Sequence, residues 1–62
     1  MIKGRLYKHV NAYILVEFLD VKRVGSKLDC YIAYISPNSR DVISFDQISL
    51  DIARLGDWKI IF

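Results

Sequence analysis

The chain has 62 residues, of which 53% are hydrophobic and 26% are charged, and its formal net charge is +2 at pH 7. This length predicts a single domain, residues 1–62, with a small core and little room for a deep pocket. The hydrophobic content argues against a disordered chain, and a single cysteine excludes an intramolecular disulfide.

Cysteine and histidine are too rare to suggest a metal site. Cys30 and His9 are each the sole residue of their type, so we expect no metal and no cofactor, and we expect Cys30 to be a small buried hydrophobe. No apolar run reaches the roughly 20 residues that span a bilayer. We therefore expect a soluble protein, with no membrane partner, in the reducing cytoplasm.

A short strand at residues 5–9 and a long strand at residues 13–24 are predicted first. In the long strand, apolar side chains occupy one face up to Phe18 and the other face from Leu19, with Val21 expected beside Leu19. This change of face predicts a β-bulge or a sharp bend, because one extra residue shifts every later side chain to the opposite side.

The next strand, residues 28–35, is predicted to fold back on the long strand through a turn at residues 25–27. It is apolar at nearly every position, so both of its faces carry hydrophobic side chains. A small barrel buries only one face of each strand. The second face is therefore either covered by other parts of the chain or binds a partner, and Tyr31, Ala33 and Ile35 are the candidates for contact with a protein or with another copy of the chain.

The second half of the chain is predicted to consist of short elements. They are a turn at residues 36–39, a fourth strand at 40–45, a break at 46–47, a fifth strand at 48–53, a tight or 3₁₀ turn at 54–57 and a last strand at 58–62. A helix from Asp46 to Gly56 is the alternative for part of this stretch. The β-branched residues Ile48 and Ile52 at alternating positions favour the strand.

Five or six short strands predict an all-β fold, a small, strongly bent antiparallel barrel of the Src-homology-3-like (SH3-like) class. Closure would also protect the edges of the sheet. Trp58, at the start of the last strand, is expected to plug the end of this barrel. If it is exposed instead, it is a candidate anchor for a protein interface.

The chain lacks the residue patterns of an enzyme. His9 has neither a nucleophile nor an acid beside it, and the carboxylates are scattered singly between apolar residues. The three glycines do not form a phosphate-binding loop. We predict no catalytic residues and no small-molecule substrate.

The basic residues are concentrated in the first half of the chain. Residues 1–31 carry six basic and three acidic side chains, for a charge of +3, whereas residues 32–62 carry three and four, for a charge of −1. If the first strand pairs with the hairpin, these cations would form a patch that holds nucleic acid by phosphate contacts and base stacking. The residues of this alternative function are Lys3, Arg5, Lys8, Lys22, Arg23, Lys27 and Tyr7.

Two short motifs suggest an origin. The opening LYKHVNA at residues 6–12 and the closing GDW at residues 56–58 resemble short accessory proteins of tailed bacteriophages. The resemblance implies a phage-encoded protein in the bacterial cytoplasm, and many such proteins act by binding a host protein. The leading hypothesis is therefore a non-enzymatic binding module that works through protein contact or as a homo-oligomer.

Overall fold

The computed structural model describes residues 1–61 and contains one antiparallel sheet of five strands. The all-β class is confirmed. Along the sheet the strands lie in the order β4-β3-β2-β1-β5. The elements are β1 (Leu6–His9), β2 (Leu15–Val24), β3 (Lys27–Ile35), β4 (Val42–Asp51), a 3₁₀ helix η1 (Ile52–Asp57) and β5 (Trp58–Ile61). Within the described part of the chain, no helix has the length and hydropathy needed to cross a membrane.

The strands β2 and β3 form the predicted hairpin, and β4, which has as many residues as β2, pairs along β3 over the same number of register positions. Val24 pairs with Lys27, so the connecting loop has only two residues, Gly25 and Ser26. Gly25 has a φ of +63°, and glycine at the first position of a two-residue loop is the requirement of a type II′ hairpin. The turn therefore fixes the register of β2 against β3.

A β-bulge interrupts β2 where the sequence predicts one. Phe18 pairs with Ile32 and Asp20 pairs with Tyr31, which leaves Leu19 as the extra residue. A bulge bends its strand and increases the local twist. The bent strand can therefore contribute side chains to the hydrophobic clusters on both faces of the sheet.

Each face of the sheet carries its own hydrophobic cluster. The buried residues of the first cluster are Tyr7, Val16, Phe18, Leu28, Cys30 and Ile32. Those of the second cluster are Leu15, Ala33 and Ile35, with Leu6, Leu19 and Ile61 packed against them. Val21 packs on the first cluster, so the expectation that it shares a face with Leu19 is wrong. The extra residue at the bulge shifts the later residues of β2 by one position, which places Val21 on the same face as Phe18.

Phe18 lies at the centre of the first cluster and is fully buried. Its ring makes edge-on contacts with Tyr7, at a centroid distance of 5.3 Å, and with Trp58, at 5.4 Å. Aromatic pairs in this arrangement stabilise a core beyond their buried area. These contacts join β1, β2 and β5, which are the strands at one end of the sheet.

The second half of the chain differs from the prediction. Residues 40–45 and 48–53 do not form two strands, because β4 runs without a break from Val42 to Asp51. Asp46 pairs with Ile32 across the ladder instead of ending a strand. Strand structure up to Asp51 agrees with the preference for a strand over a helix, and the predicted 3₁₀ turn begins two residues earlier than expected. The prediction for residue 62 lies outside the described residues.

The predicted closed barrel is not formed by residues 1–61. After β4 the chain winds into η1, and β5 then pairs with β1 instead of with β4. Asp51 caps η1, since its Oδ1 accepts a hydrogen bond of 3.0 Å from the Ala53 N–H. The sheet is therefore open, and β4 and β5 are its two edge strands.

The substitution Phe18→Ala tests the centre of the first cluster. We expect it to lower the free energy of unfolding by about 3–5 kcal/mol, because it leaves a cavity between Tyr7 and Trp58. This loss is comparable to the whole net stability of roughly 3–5 kcal/mol that a core of this size supplies. Urea denaturation followed by Trp58 fluorescence measures it. Val24→Ala, on the exposed hairpin tip, is the control, and an equal loss for both variants would contradict the assignment.

Cys30 gives a second test of the core. It is buried, its Sγ–H donates to the Leu28 carbonyl at 3.6 Å, and burial raises the pKa of its thiol. A raised pKa keeps the group as the thiol, whereas the thiolate is the reactive form. At mildly alkaline pH we expect native Cys30 to react with a disulfide reagent at least about tenfold more slowly than the urea-unfolded chain.

An exposed cysteine supplies the control for this measurement. In the variant Ser26→Cys, the new thiol lies in the hairpin turn and should react at the rate of an unfolded cysteine. Equal rates for Cys30 and for the new thiol in the native state would show that Cys30 is not protected.

Candidate protein-binding surface

The structure places the predicted interface residues in two different environments. Ala33 and Ile35 are only 1% and 3% exposed, because they lie within the second cluster. They cannot contact a partner, and this part of the prediction is corrected: residues of the same chain cover that end of the face. Tyr31 is 43% exposed and remains available. Trp58 is half-buried, and its ring packs edge-on against Phe18 and, at 5.0 Å, against His9.

A group of exposed apolar side chains that the sequence analysis missed lies along β4. The exposed fractions are 52% for Val42, 58% for Ile43 and 57% for Phe45. The ring of Phe45 is stacked on that of Tyr31, with a centroid distance of 6.0 Å and an interplanar angle of 7°. We call these four residues, Tyr31, Val42, Ile43 and Phe45, the β4 patch.

One sequence signal could have identified this patch. Val42 and Ile43 are adjacent apolar residues, and adjacent residues of a regular strand point to opposite faces. The structure places a second bulge here, since Tyr34 pairs with Ser44 and Ile35 pairs with Val42. Ile43 is the extra residue of that bulge and has no partner in β3.

The backbone beside the patch has hydrogen-bonding groups that face away from the sheet. The Ile52 N–H donates to the Ser26 carbonyl at 3.1 Å, which continues the β3–β4 register by one pair. Hydrogen-bonded and non-hydrogen-bonded pairs alternate in an antiparallel ladder. Counting back from Ile52, Phe45 and Gln47 belong to non-hydrogen-bonded pairs, so their N–H and C=O groups point toward the free edge.

The hydrogen bonds of the Asp46 carboxylate agree with this assignment of the outward-pointing backbone groups. Its Oδ1 accepts a hydrogen bond of 2.8 Å from the Gln47 N–H, which therefore is not used by β3. Its Oδ2 accepts a hydrogen bond of 3.0 Å from the Tyr34 hydroxyl. This hydrogen bond, together with partial burial and the carboxylate charge, raises the pKa of Tyr34. The two contacts hold the carboxylate on the face of the sheet opposite Phe45.

The two edge strands of the sheet differ in their protection. Edge strands are normally blunted by short length, by lysine or by proline. β5 has four residues and includes the exposed Lys59. β4 has ten residues, and the segment 42–45 contains neither a charge nor a proline. β4 is therefore the less protected of the two edge strands.

A shallow polar cleft of about 450 Å³ adjoins the patch at Tyr31. Its charged and amide groups lie in cross-strand rows, in which Lys22 pairs with Asp29, and Tyr31 with Gln47. These side chains offer hydrogen-bond donors and acceptors beside an apolar centre. This arrangement, apolar at the centre and polar at the rim, is typical of protein-binding surfaces.

The predicted nucleic-acid residues are spread along the length of β2. Lys8 pairs with Leu15 and Arg23 pairs with Leu28, so the two cations lie near opposite ends of β2, about 26 Å apart at 3.3 Å per residue. Lys22 and Lys27 lie near Arg23 on the hairpin, whereas Lys3 and Arg5 precede β1.

Several of these side chains are also engaged locally. Lys3 forms an ion pair of 3.5 Å with Asp20, and the Arg23 Nε–H donates to the Gly25 carbonyl at 3.0 Å. Tyr7 is buried, and its hydroxyl oxygen accepts a hydrogen bond from the Ile2 N–H at 3.0 Å. Its ring is therefore not available for base stacking.

His9 lies in a second shallow cleft, of about 330 Å³, together with Ser49, Asp51 and Asp57. Its Nδ1 accepts a hydrogen bond of 3.1 Å from the Asn11 N–H. Within residues 1–61 no hydrogen bond joins the His9 ring to a carboxylate or to the Ser49 hydroxyl, so a nucleophile, base and orienting acid are not assembled. The same residues contain no group of three or more His, Cys, Asp or Glu placed to hold a metal ion.

Comparison with known proteins assigns no family to the chain. No protein-family model, no curated protein and no solved structure matches it. The features of the described residues that bear on function are the β4 patch, the backbone edge beside the patch and the polar cleft that adjoins it.

Proposed function

We propose that this protein is a non-enzymatic binding module that acts by protein contact through the β4 patch. The observation that carries the proposal is the position of four half-exposed apolar side chains on and beside an edge strand. Aromatic residues are enriched at the centres of protein interfaces. Tyr31 and Phe45 supply such a centre, and the polar cleft supplies part of a rim.

The edge of β4 adds a second means of recognition. A strand whose N–H and C=O groups are free can pair with an extended segment of another chain. Main-chain hydrogen bonds then supply affinity, and contacts with alternate side chains supply selectivity. The β4 patch and the backbone of Phe45 lie at the same place, so a single bound strand would use both.

The proposal extends to the fold class. The meander from β1 to β4, a 3₁₀ helix after β4 and the return of β5 to β1 are features that support an SH3-like arrangement. In this interpretation the sheet is an opened form of the barrel, with β4 and β5 unpaired. The proposal also places the protein in the cytoplasm of a bacterial host, as a phage-encoded accessory protein; its support is the LYKHVNA and GDW motifs.

The charges give no comparable support to the alternative of nucleic-acid binding. Its six cations are spread along β2, from Lys8 beside Leu15 to Arg23 beside Leu28, with Lys3 paired to Asp20 between them, and its one proposed stacking residue, Tyr7, is buried. Continuous phosphate contact requires cations that follow one groove or one face. Protein contact is therefore the function that the geometry favours.

The substitution Phe45→Ser tests the proposed function. It removes the ring at the centre of the β4 patch while the residue stays on an exposed strand position. The immobilised chain is incubated with a bacterial extract to which tagged copies of the chain itself are added. We expect the amount of protein retained by the variant to be at least about tenfold lower than the amount retained by the unmodified chain. Quantitative mass spectrometry measures this loss.

Val24→Ser is the matched control for this experiment. Val24 is 51% exposed, close to the value for Phe45, but lies at the hairpin tip away from the patch. It should retain the same proteins as the unmodified chain. If neither a host protein nor the tagged chain is retained in a manner that depends on Phe45, the proposed function is wrong.

A further inference from the structure

We propose that the β4 patch binds the β4 patch of a second copy, by antiparallel pairing of the two β4 strands about a twofold axis at Phe45. This inference rests on the proposed function and names the partner. The paired strands would join two five-stranded sheets into one sheet of ten strands. Symmetric pairing of this kind uses the same surface in both copies, so the backbone geometry and the charges of this surface must be complementary to themselves.

The backbone permits a twofold axis at Phe45. Its N–H and C=O groups point toward the free edge, as derived from the Ile52–Ser26 hydrogen bond and from the contact of Gln47 with Asp46. Two copies of Phe45 placed opposite each other would therefore exchange two N–H···O=C bonds, as a hydrogen-bonded antiparallel pair does. The two rings would lie side by side on the same face of the joined sheet.

The side chains favour this register over its neighbours. With Phe45 opposite Phe45, Ser44 of each copy lies opposite Asp46 of the other copy. The twofold axis therefore gives two equivalent pairs in which a hydroxyl can donate to a carboxylate. An axis at Asp46 would place two carboxylates directly opposite each other, which is destabilising. An axis at Ser44 would place Asp46 opposite Val42, and the carboxylate would gain no donor.

Asp46 is already held in the orientation that this pairing needs. The Tyr34 hydroxyl donates to its Oδ2, and the carboxylate lies on the face opposite Phe45. Ser44 lies on that same face, since residues two apart on a strand point the same way. A carboxylate oxygen has more than one lone pair, so it can accept from Ser44 of the second copy while it keeps the Tyr34 contact.

The size of the patch indicates a weak dimer. Its four residues are each about half exposed, and with roughly 150–250 Å² for each aromatic side chain they present on the order of 400 Å² per copy. A standard interface buries about 800 Å² per partner. We therefore expect dimerisation that depends strongly on protein concentration.

A second copy fits this surface better than an unrelated partner does, for a reason that lies in the core. A chain of this length without a disulfide or a metal depends on close packing or on self-association for its stability. Cys30 is the only cysteine, and Phe18 and Ile32 are the only large side chains that are fully buried among residues 1–61. Pairing of β4 would cover apolar side chains that this small core leaves exposed.

Sedimentation equilibrium over a concentration series into the millimolar range tests the dimer. We expect a monomer–dimer equilibrium whose dissociation constant rises at least about tenfold in Phe45→Ser and stays within about twofold in Val24→Ser. Circular dichroism checks that both variants remain folded. A strict monomer across the series, or a dimer that is indifferent to Phe45→Ser, would overturn the inference.

A cysteine placed at the proposed axis tests the register. In Phe45→Cys, the two Cα atoms would be about 5.5 Å apart, within the range for a disulfide, so mild oxidation should give a covalent dimer. In the control Gln47→Cys, the two new thiols would be about 13 Å apart and should not link. Linkage of Gln47→Cys at the rate of Phe45→Cys would overturn the register.

The outcomes separate this inference from the proposed function. If the chain is monomeric but retains a host protein through Phe45, the dimer is wrong and the binding module stands. If the chain dimerises through Phe45 and retains nothing else, the dimer is the contact that the module makes. If retention and self-association are both independent of Phe45, both proposals fail.

Discussion

The bulge at Leu19 is the constraint on which the rest of the structure depends. One extra residue in β2 lets this strand supply Phe18 and Val21 to the cluster on one face and Leu19 to the cluster on the other. A sheet of five short strands has no second layer with which to bury a face completely. The bend and twist at the bulge therefore allow apolar side chains of the same chain to pack against each other on both faces.

This solution buries eight side chains of the β2–β3 hairpin, but β4 remains an edge strand with exposed apolar residues. β1 pairs with the first part of β2, β5 pairs with β1, and both strands, with η1, add side chains to the first cluster. Among residues 1–61, β4 receives no strand on its outer side, because the chain enters η1 and continues to β5 beside β1. The exposed apolar residues of β4 are thus a direct consequence of the topology. The same topology leaves the outer backbone of β4 open, which is the basis of the proposed strand addition.

Much of the fold could be predicted from the sequence because local rules determine it. The two-residue period of β3, the bulge at Leu19 and the turn at Gly25 are each properties of a few adjacent residues, and the structure confirms all three, although Val21 lies on the face opposite to the one expected. The continuous course of β4 could not be predicted in this way. Asp46 resembles a strand break or a helix cap in sequence, and only its cross-strand pairing with Ile32 and its contact with Tyr34 keep it within the strand.

The candidate site, like the fold, was predicted only in part from the sequence. The sequence by itself determined that β3 has two apolar faces, and hence that Tyr31, Ala33 and Ile35 point away from Cys30 and Ile32. Only the tertiary structure decided that Ala33 and Ile35 are buried while Tyr31 lies beside Phe45 in the β4 patch. The physical reason is that alternation assigns a side chain to a face of its strand, whereas the packing of distant strands and of the bulged Leu19 decides which part of that face meets solvent.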